Sequence, residues 1–139
     1  DIRAAVTIPF LDMVAASARR ARAIAGQGGR VGLLASPAVA RVGLFDRALA
    51  AEGLEVLHPA DGAALLASIR SIKAEGPNDA ARAALLAASR ALLDKGAQVQ
   101  LIACTEFSLI PDATAPGTTA LDTLDVLVDE ILGFAFNPI

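Results

Sequence analysis

The chain has 139 residues, with 12 basic and 15 acidic side chains, a formal net charge of -3 and neither Trp nor Tyr. That length fits one domain with a real core, and a single Cys excludes an internal disulfide or a cysteine-cluster zinc site. The mean hydropathy of +0.55 does not imply a membrane span, because no stretch free of Asp, Glu, Lys and Arg exceeds ten residues, where a spanning helix needs about 20 apolar ones.

Alanine, roughly a quarter of the chain, inflates that hydropathy. No basic patch is interleaved with stacking aromatics, so nucleic acid is not an expected partner. No secretory signal is visible, and a cytoplasmic, metal-free domain is the default expectation. The first residue is Asp1 rather than Met, which fits a processed or truncated piece of a longer protein.

In chain order, Phe10, Leu11, Val14, Ala18, Ala21 and Ile24 form an apolar stripe at spacings of three and four. With Pro9 at a first helical position and Gly26 as the stop, 9–25 reads as a helix. Arg19, Arg20 and Arg22 fall off the stripe as a solvated face. The loop 26–29 precedes a strand, Val31 to Ala35, and so cannot be a phosphate-binding glycine loop, which follows one.

Ser36 then offers an N-cap and Pro37 a first helical position, for a helix carrying Val39, Val42, Phe45 and Leu49 and ending at Gly53. Leu54 to Leu57 is the next strand. Asp61 caps a helix with Leu65, Leu66, Ile69 and Ile72 inside. After Gly76-Pro77-Asn78, an Ala/Leu helix runs from Asp79 to Lys95 and stops at Gly96. Val99 to Ala103 is a third strand, Phe107 to Ile110 a helical turn, and Thr118 to Leu121 a short fourth strand. Asp122 caps a last helix through about Phe134.

Strands alternating with helical crossovers predict an α/β fold over 1–139: a parallel sheet of about four strands covered by helices on both faces. In such sheets ligands bind beyond the carboxyl ends of the strands. That rule singles out Ala35-Ser36, His58-Pro59, Ala103-Cys104-Thr105 and Leu121-Asp122.

Cys104 is the informative residue, since it stands where a strand hands over to a loop. One reading is a small buried hydrophobe. The other is a reactive thiol, which the free amides of a turn starting at 105–107 would favour as thiolate. Thr105 and Glu106 bring hydrogen-bonding groups suited to an amine or carboxylate ligand, and alone they read as an N-cap and a first-turn acid. His58 reads as structural or surface-exposed.

Cys104-Thr105-Glu106 after an apolar strand resembles the second cysteine motif of the cofactor-independent aspartate/glutamate racemases. Ile8-Pro9-Phe10-Leu11, Arg30 to Ala35, Ile72-Lys73-Ala74 and Leu121-Asp122-Thr123 resemble that family's segments in the same order. The resemblance covers essentially the whole chain and places it as the second of two similar domains, each giving one cysteine to a shared cleft. It implies racemisation of an acidic amino acid without cofactor or metal, with Cys104 as one of two acid/base thiols. Thr105 and Glu106 match positions that contact substrate or orient the thiol, and Lys73 one that binds substrate carboxylate. Ser36 keeps a hydroxyl where the family usually has Thr. Val39 and Ala103 depart from the pattern, replacing a frequent hydroxyl residue and the usual Gly.

The first-cysteine half has no counterpart in this chain, so the chain alone is expected to be inactive, completed by a first domain or a homodimer partner. Two alternatives remain: a single-cysteine decarboxylase of the same superfamily, and a non-catalytic ligand-binding fragment. A bare surface is expected on the last helix at Leu124, Leu127, Val128, Ile131, Leu132 and Phe134.

Overall fold

The structure, a computed structural model, describes residues 2–136. The expected single domain over 1–139 is therefore described except at residue 1 and residues 137–139. Its elements are α1 (Ile2–Ala5), α2 (Met13–Ala25), β1 (Arg30–Leu34), α3 (Pro37–Val42), α4 (Leu44–Ala51), β2 (Glu55–Leu57) and α5 (Gly62–Glu75). There follow α6 (Asp79–Asp94), β3 (Val99–Ile102), two short 3-10 turns at Phe107–Leu109 and Pro111–Ala113, β4 (Ala120–Asp122) and α7 (Thr123–Phe136).

The four strands form one sheet in the order β2-β1-β3-β4, every neighbouring pair parallel. Leu34 stands opposite Ile102, and Ile102 opposite Asp122, so β1, β3 and β4 end close together. The expected α/β fold with both faces covered is what forms. On one face Val31, Leu33 and Leu101 bury against Ala18 and Ala21 of α2 and Phe45 and Leu49 of α4. On the other, Leu34 and Ile102 meet Leu65, Ile69, Leu85 and Leu92 of α5 and α6. Each fully buried Leu contributes roughly 1.5–3 kcal/mol by leaving water. These contacts explain why strands this short are stable.

The central strands carry two special positions. Gly32 lets α6 approach closely, because a Cβ there would lie 2.9 Å from Leu92 Cδ1. Gln100 is wholly buried, yet it is satisfied by Ser89: the Ser89 hydroxyl donates to Gln100 Oε1 at 2.7 Å and Gln100 Nε2 donates to the Ser89 carbonyl at 2.8 Å.

Two expectations for the helices need correction. Helix α2 starts at Met13, not Pro9, because the Asp12 carboxylate accepts from Val14 N at 2.9 Å and Ala15 N at 3.1 Å; α1 had no counterpart in the expected elements. The expected single helix from Pro37 to Gly53 is two, since Gly43 takes φ 68°, a left-handed conformation that breaks the first and opens the second. The apolar stripe runs across that break, which hides it from periodicity. Arg19 and Arg20 are exposed, as a solvated face should be, and they also reach Glu130 and Asp129 of α7 at 3.2 and 2.6 Å.

Helix α7 lies against α2 and presents apolar side chains outward. Val128, Ile131, Leu132, Phe134 and Phe136 are all exposed, whereas Leu127 is half-buried. Among the described residues no helix is long and apolar enough to cross a membrane.

Candidate functional site

The carboxyl end of β3 is built to present a thiol. Ala103 N still donates to the Leu34 carbonyl at 2.9 Å, holding the chain in the sheet for one residue past the strand. The Cys104 carbonyl then accepts from Phe107 N at 3.0 Å and Ser108 N at 3.1 Å, so the chain turns at once. Phe107 and Ile110 are completely buried and anchor that turn in the core. Thr105 and Glu106 are left at its tip, with Cys104 half-buried at its base.

Glu106 organises this tip. Its Oε2 accepts from the Cys104 thiol at 3.0 Å and from the Thr105 hydroxyl at 3.2 Å. Its Oε1 faces Lys73 Nζ at 3.3 Å, across from the last turn of α5. The Glu106 side chain is only 16% exposed while that of Lys73 is 65% exposed, so the carboxylate is fixed and the ammonium reaches in from solvent.

These contacts set the protonation of the thiol. Burial, reinforced by the Glu106 carboxylate beside it, pushes Cys104 from 9.0 up to about 11. The thiol in turn lowers the pKa of Glu106 by donating to it, with a further lowering from Lys73. The expected stabilisation of a thiolate by the turn's amides is thus overturned. Backbone groups at Glu106 and Phe107 do pull the value down, but burial and the adjacent carboxylate outweigh them. At neutral pH Cys104 is held in its thiol form.

The structure therefore brings four of the five expected site residues into one connected group: Cys104, Thr105, Glu106 and Lys73. Ser36 is the exception. It follows β1, next to β3 in the sheet, but its hydroxyl accepts from Val39 N at 3.4 Å and caps α3. It also lines a pocket of about 260 Å³ with Pro37, His58 and Pro59, on the β2 side. His58 pairs with Asp46 at 2.7 Å, apart from the Cys104 group, in keeping with a structural histidine.

Val39 and Ala103, the two departures from the family pattern, line one apolar pocket of about 350 Å³ with Met13, Val14, Val42 and Phe45. Sequence reading missed Ser108, whose hydroxyl donates to Asp122 Oδ1 at 2.9 Å. The same oxygen accepts from Leu124 N at 2.9 Å, so Asp122 does cap α7 as expected. A serine within the turn, six residues past the end of β3, gives no signal of that partner. Among the described residues no cluster of three or more His, Cys, Asp or Glu could hold a metal ion.

The family model described as Asp/Glu/Hydantoin racemase matches residues 1–131. Among solved structures, a candidate Asp/Glu racemase from Yersinia pestis superposes with a TM-score of 0.83 over 98% of this chain at 22% identity. An aspartate racemase homologue from Pyrococcus horikoshii OT3 gives 0.80 over 99% at 20% identity. Glutamate racemase isoform RacE1 from Bacillus anthracis gives 0.72 over 99% at 14% identity. The chain spans only 60%, 61% and 53% of those three proteins' lengths.

Proposed function

The chain belongs to the Asp/Glu/Hydantoin racemase family, and from that membership we propose that it supplies one of the two proton-transfer groups of a cofactor-independent amino-acid racemase. Racemisation breaks the Cα–H bond of the substrate on one face and returns a proton on the other. Two groups must therefore flank the α-carbon, one as base and one as acid. Cys104 is the group this chain provides. In this proposal the matching thiol comes from outside the chain, which spans only 60% and 61% of two similar structures.

The observation that carries this reading is the 3.0 Å contact from Cys104 Sγ to Glu106 Oε2 at the carboxyl end of a central parallel strand. A purely structural cysteine would make apolar contacts alone, and Cys104 does pack against the buried cluster around Leu65, Ile69 and Leu85. It is also tied to a carboxylate that keeps it protonated, which is the state required of the acid. In the opposite direction Cys104 must first lose its proton and then, as thiolate, take the α-proton of the substrate while the matching group donates on the other face.

An acidic amino acid is the substrate this reading favours. Lys73, held at the site by Glu106, offers the cation for a carboxylate, and Thr105 offers a hydroxyl beside it. No cofactor enters the scheme, so the carbanion must be stabilised by charges and hydrogen bonds around it. The exposed apolar face of α7 would then be covered by the enzyme's first half.

The test is deuterium exchange at Cα of aspartate and glutamate in an intact two-domain version. Cys104→Ser should lower interconversion by about 10²–10⁴-fold, the scale of a lost general acid–base group. Undiminished racemisation by that variant would overturn the assignment. The 139-residue chain alone should leave both amino acids optically unchanged.

A further inference from the structure

We propose that Ser108 and Asp122 are positioning residues for Cys104, holding the 104–109 turn so that the thiol stays on Glu106. The inference rests on Cys104 being the proton-transfer group, but its geometry stands separately. Asp122 lies at the junction of β4 and α7, and its Oδ1 accepts from two donors, the Ser108 hydroxyl and Leu124 N, each at 2.9 Å. Ser108 faces back towards Cys104, because its N–H donates to the Cys104 carbonyl at 3.1 Å and its hydroxyl lies 3.4 Å from the same oxygen.

A second tie runs alongside. The buried Thr123 hydroxyl donates to the Ile102 carbonyl at 3.0 Å, joining the start of α7 to the last residue of β3. The loop bearing the thiol is thus fixed at two points to the start of α7, fourteen or more residues further along the chain. Without Ser108, the turn keeps its buried Phe107 and Ile110 anchors but loses the side-chain contact that fixes its polar side. Such a loop would still form, with its thiol free to leave the carboxylate. Proton transfer is sensitive to that, since it requires hydrogen-bond distance between fixed groups.

The charged groups around this thiol are Glu106 on its own turn, Lys73 from α5 and Asp122 from the β4–α7 junction. Among them only Glu106 touches the sulfur, so the thiol's titration reports whether that contact survives. The chain contains a single Cys, so alkylation of the 139-residue chain by iodoacetamide reads Cys104 alone.

The experiment is the pH profile of that alkylation rate in wild type, Ser108→Ala, Ser108→Thr and Asp122→Asn. Ser108→Ala should shift the profile to lower pH by about one unit, making alkylation about tenfold faster at pH 8.5. Ser108→Thr, which keeps the hydroxyl, should restore the wild-type profile. Asp122→Asn keeps an acceptor oxygen and should shift it less than Ser108→Ala. A Ser108→Ala profile that superposes on wild type would overturn the proposal, even if the melting temperature falls. Failure of Cys104→Ser to affect racemisation would instead remove the underlying function and leave this positioning result intact.

Discussion

The carboxyl ends of β1 and β3 lie side by side in the sheet, and each is followed by a small polar side chain, Ser36 and Cys104. Their surroundings differ. After β1 the chain enters a helix directly, and the Ser36 hydroxyl is used by the backbone, capping α3. After β3 the backbone satisfies itself through the Cys104 carbonyl, which leaves the thiol free to meet a side chain. The difference teaches that a shared sheet edge does not make a shared site. What decides is whether the local turn consumes the side chain or releases it.

Removing the carboxylate should change the β3 end most. Glu106→Gln keeps the shape but loses the charge that holds the thiol protonated. The Cys104 value should fall below about 11 but stay above its ordinary 9.0, because burial, the larger cause, remains, so alkylation at pH 8 should speed up by less than the roughly hundredfold of a full return. An unchanged alkylation rate would mean that burial alone sets the thiol, and the contrast with Ser36 would weaken.

Next in size is an effect on stability in alkali. Because the folded protein holds the Cys104 proton more tightly than the unfolded chain, stability present below pH 9 is lost as pH rises through about 11. The loss is at most about 2–3 kcal/mol, from two pKa units at 1.36 kcal/mol each. Urea unfolding at pH 8 and pH 11.5 should show a smaller drop for Cys104→Ala than for wild type. Glu106 acts in the opposite sense: its lowered pKa contributes stability above about pH 4.5 that is lost as pH falls.

The smallest change belongs to the β1 end. Ser36→Ala should cost about 0.5–1 kcal/mol, the lower part of the range for a lost N-cap, because the capping contact is long. Thermal melting would show that cost, while the Cys104 alkylation profile should not move. A shifted profile in Ser36→Ala would join the two strand ends into one site after all.

The sheet and its order of elements were legible because the strands are short apolar runs between glycine and capping signals, such as Gly26 before β1, Asp61 before α5 and Gly96 before β3. The break at Gly43 was not, because Val39, Val42, Phe45 and Leu49 keep helical spacing straight through it. Within the site, Cys104, Thr105 and Glu106 are consecutive, so a motif could announce them. Their linkage to Lys73, and that of Ser108 to Asp122, depends on which helix and strand ends the fold brings together, and no local pattern encodes it. The protonation of Cys104 was misjudged for a related reason. Turn amides can be inferred from sequence, whereas burial and the orientation of the Glu106 carboxylate cannot.

The account turns on Cys104 being held as a thiol by its burial and its carboxylate neighbour, and a direct titration measures this. Following thiolate absorbance at 240 nm in this single-cysteine chain from pH 6 to pH 12 should give one transition near 11. A transition at or below the ordinary 9.0 would contradict it, leaving Cys104 without the partner that fits it to donate a proton.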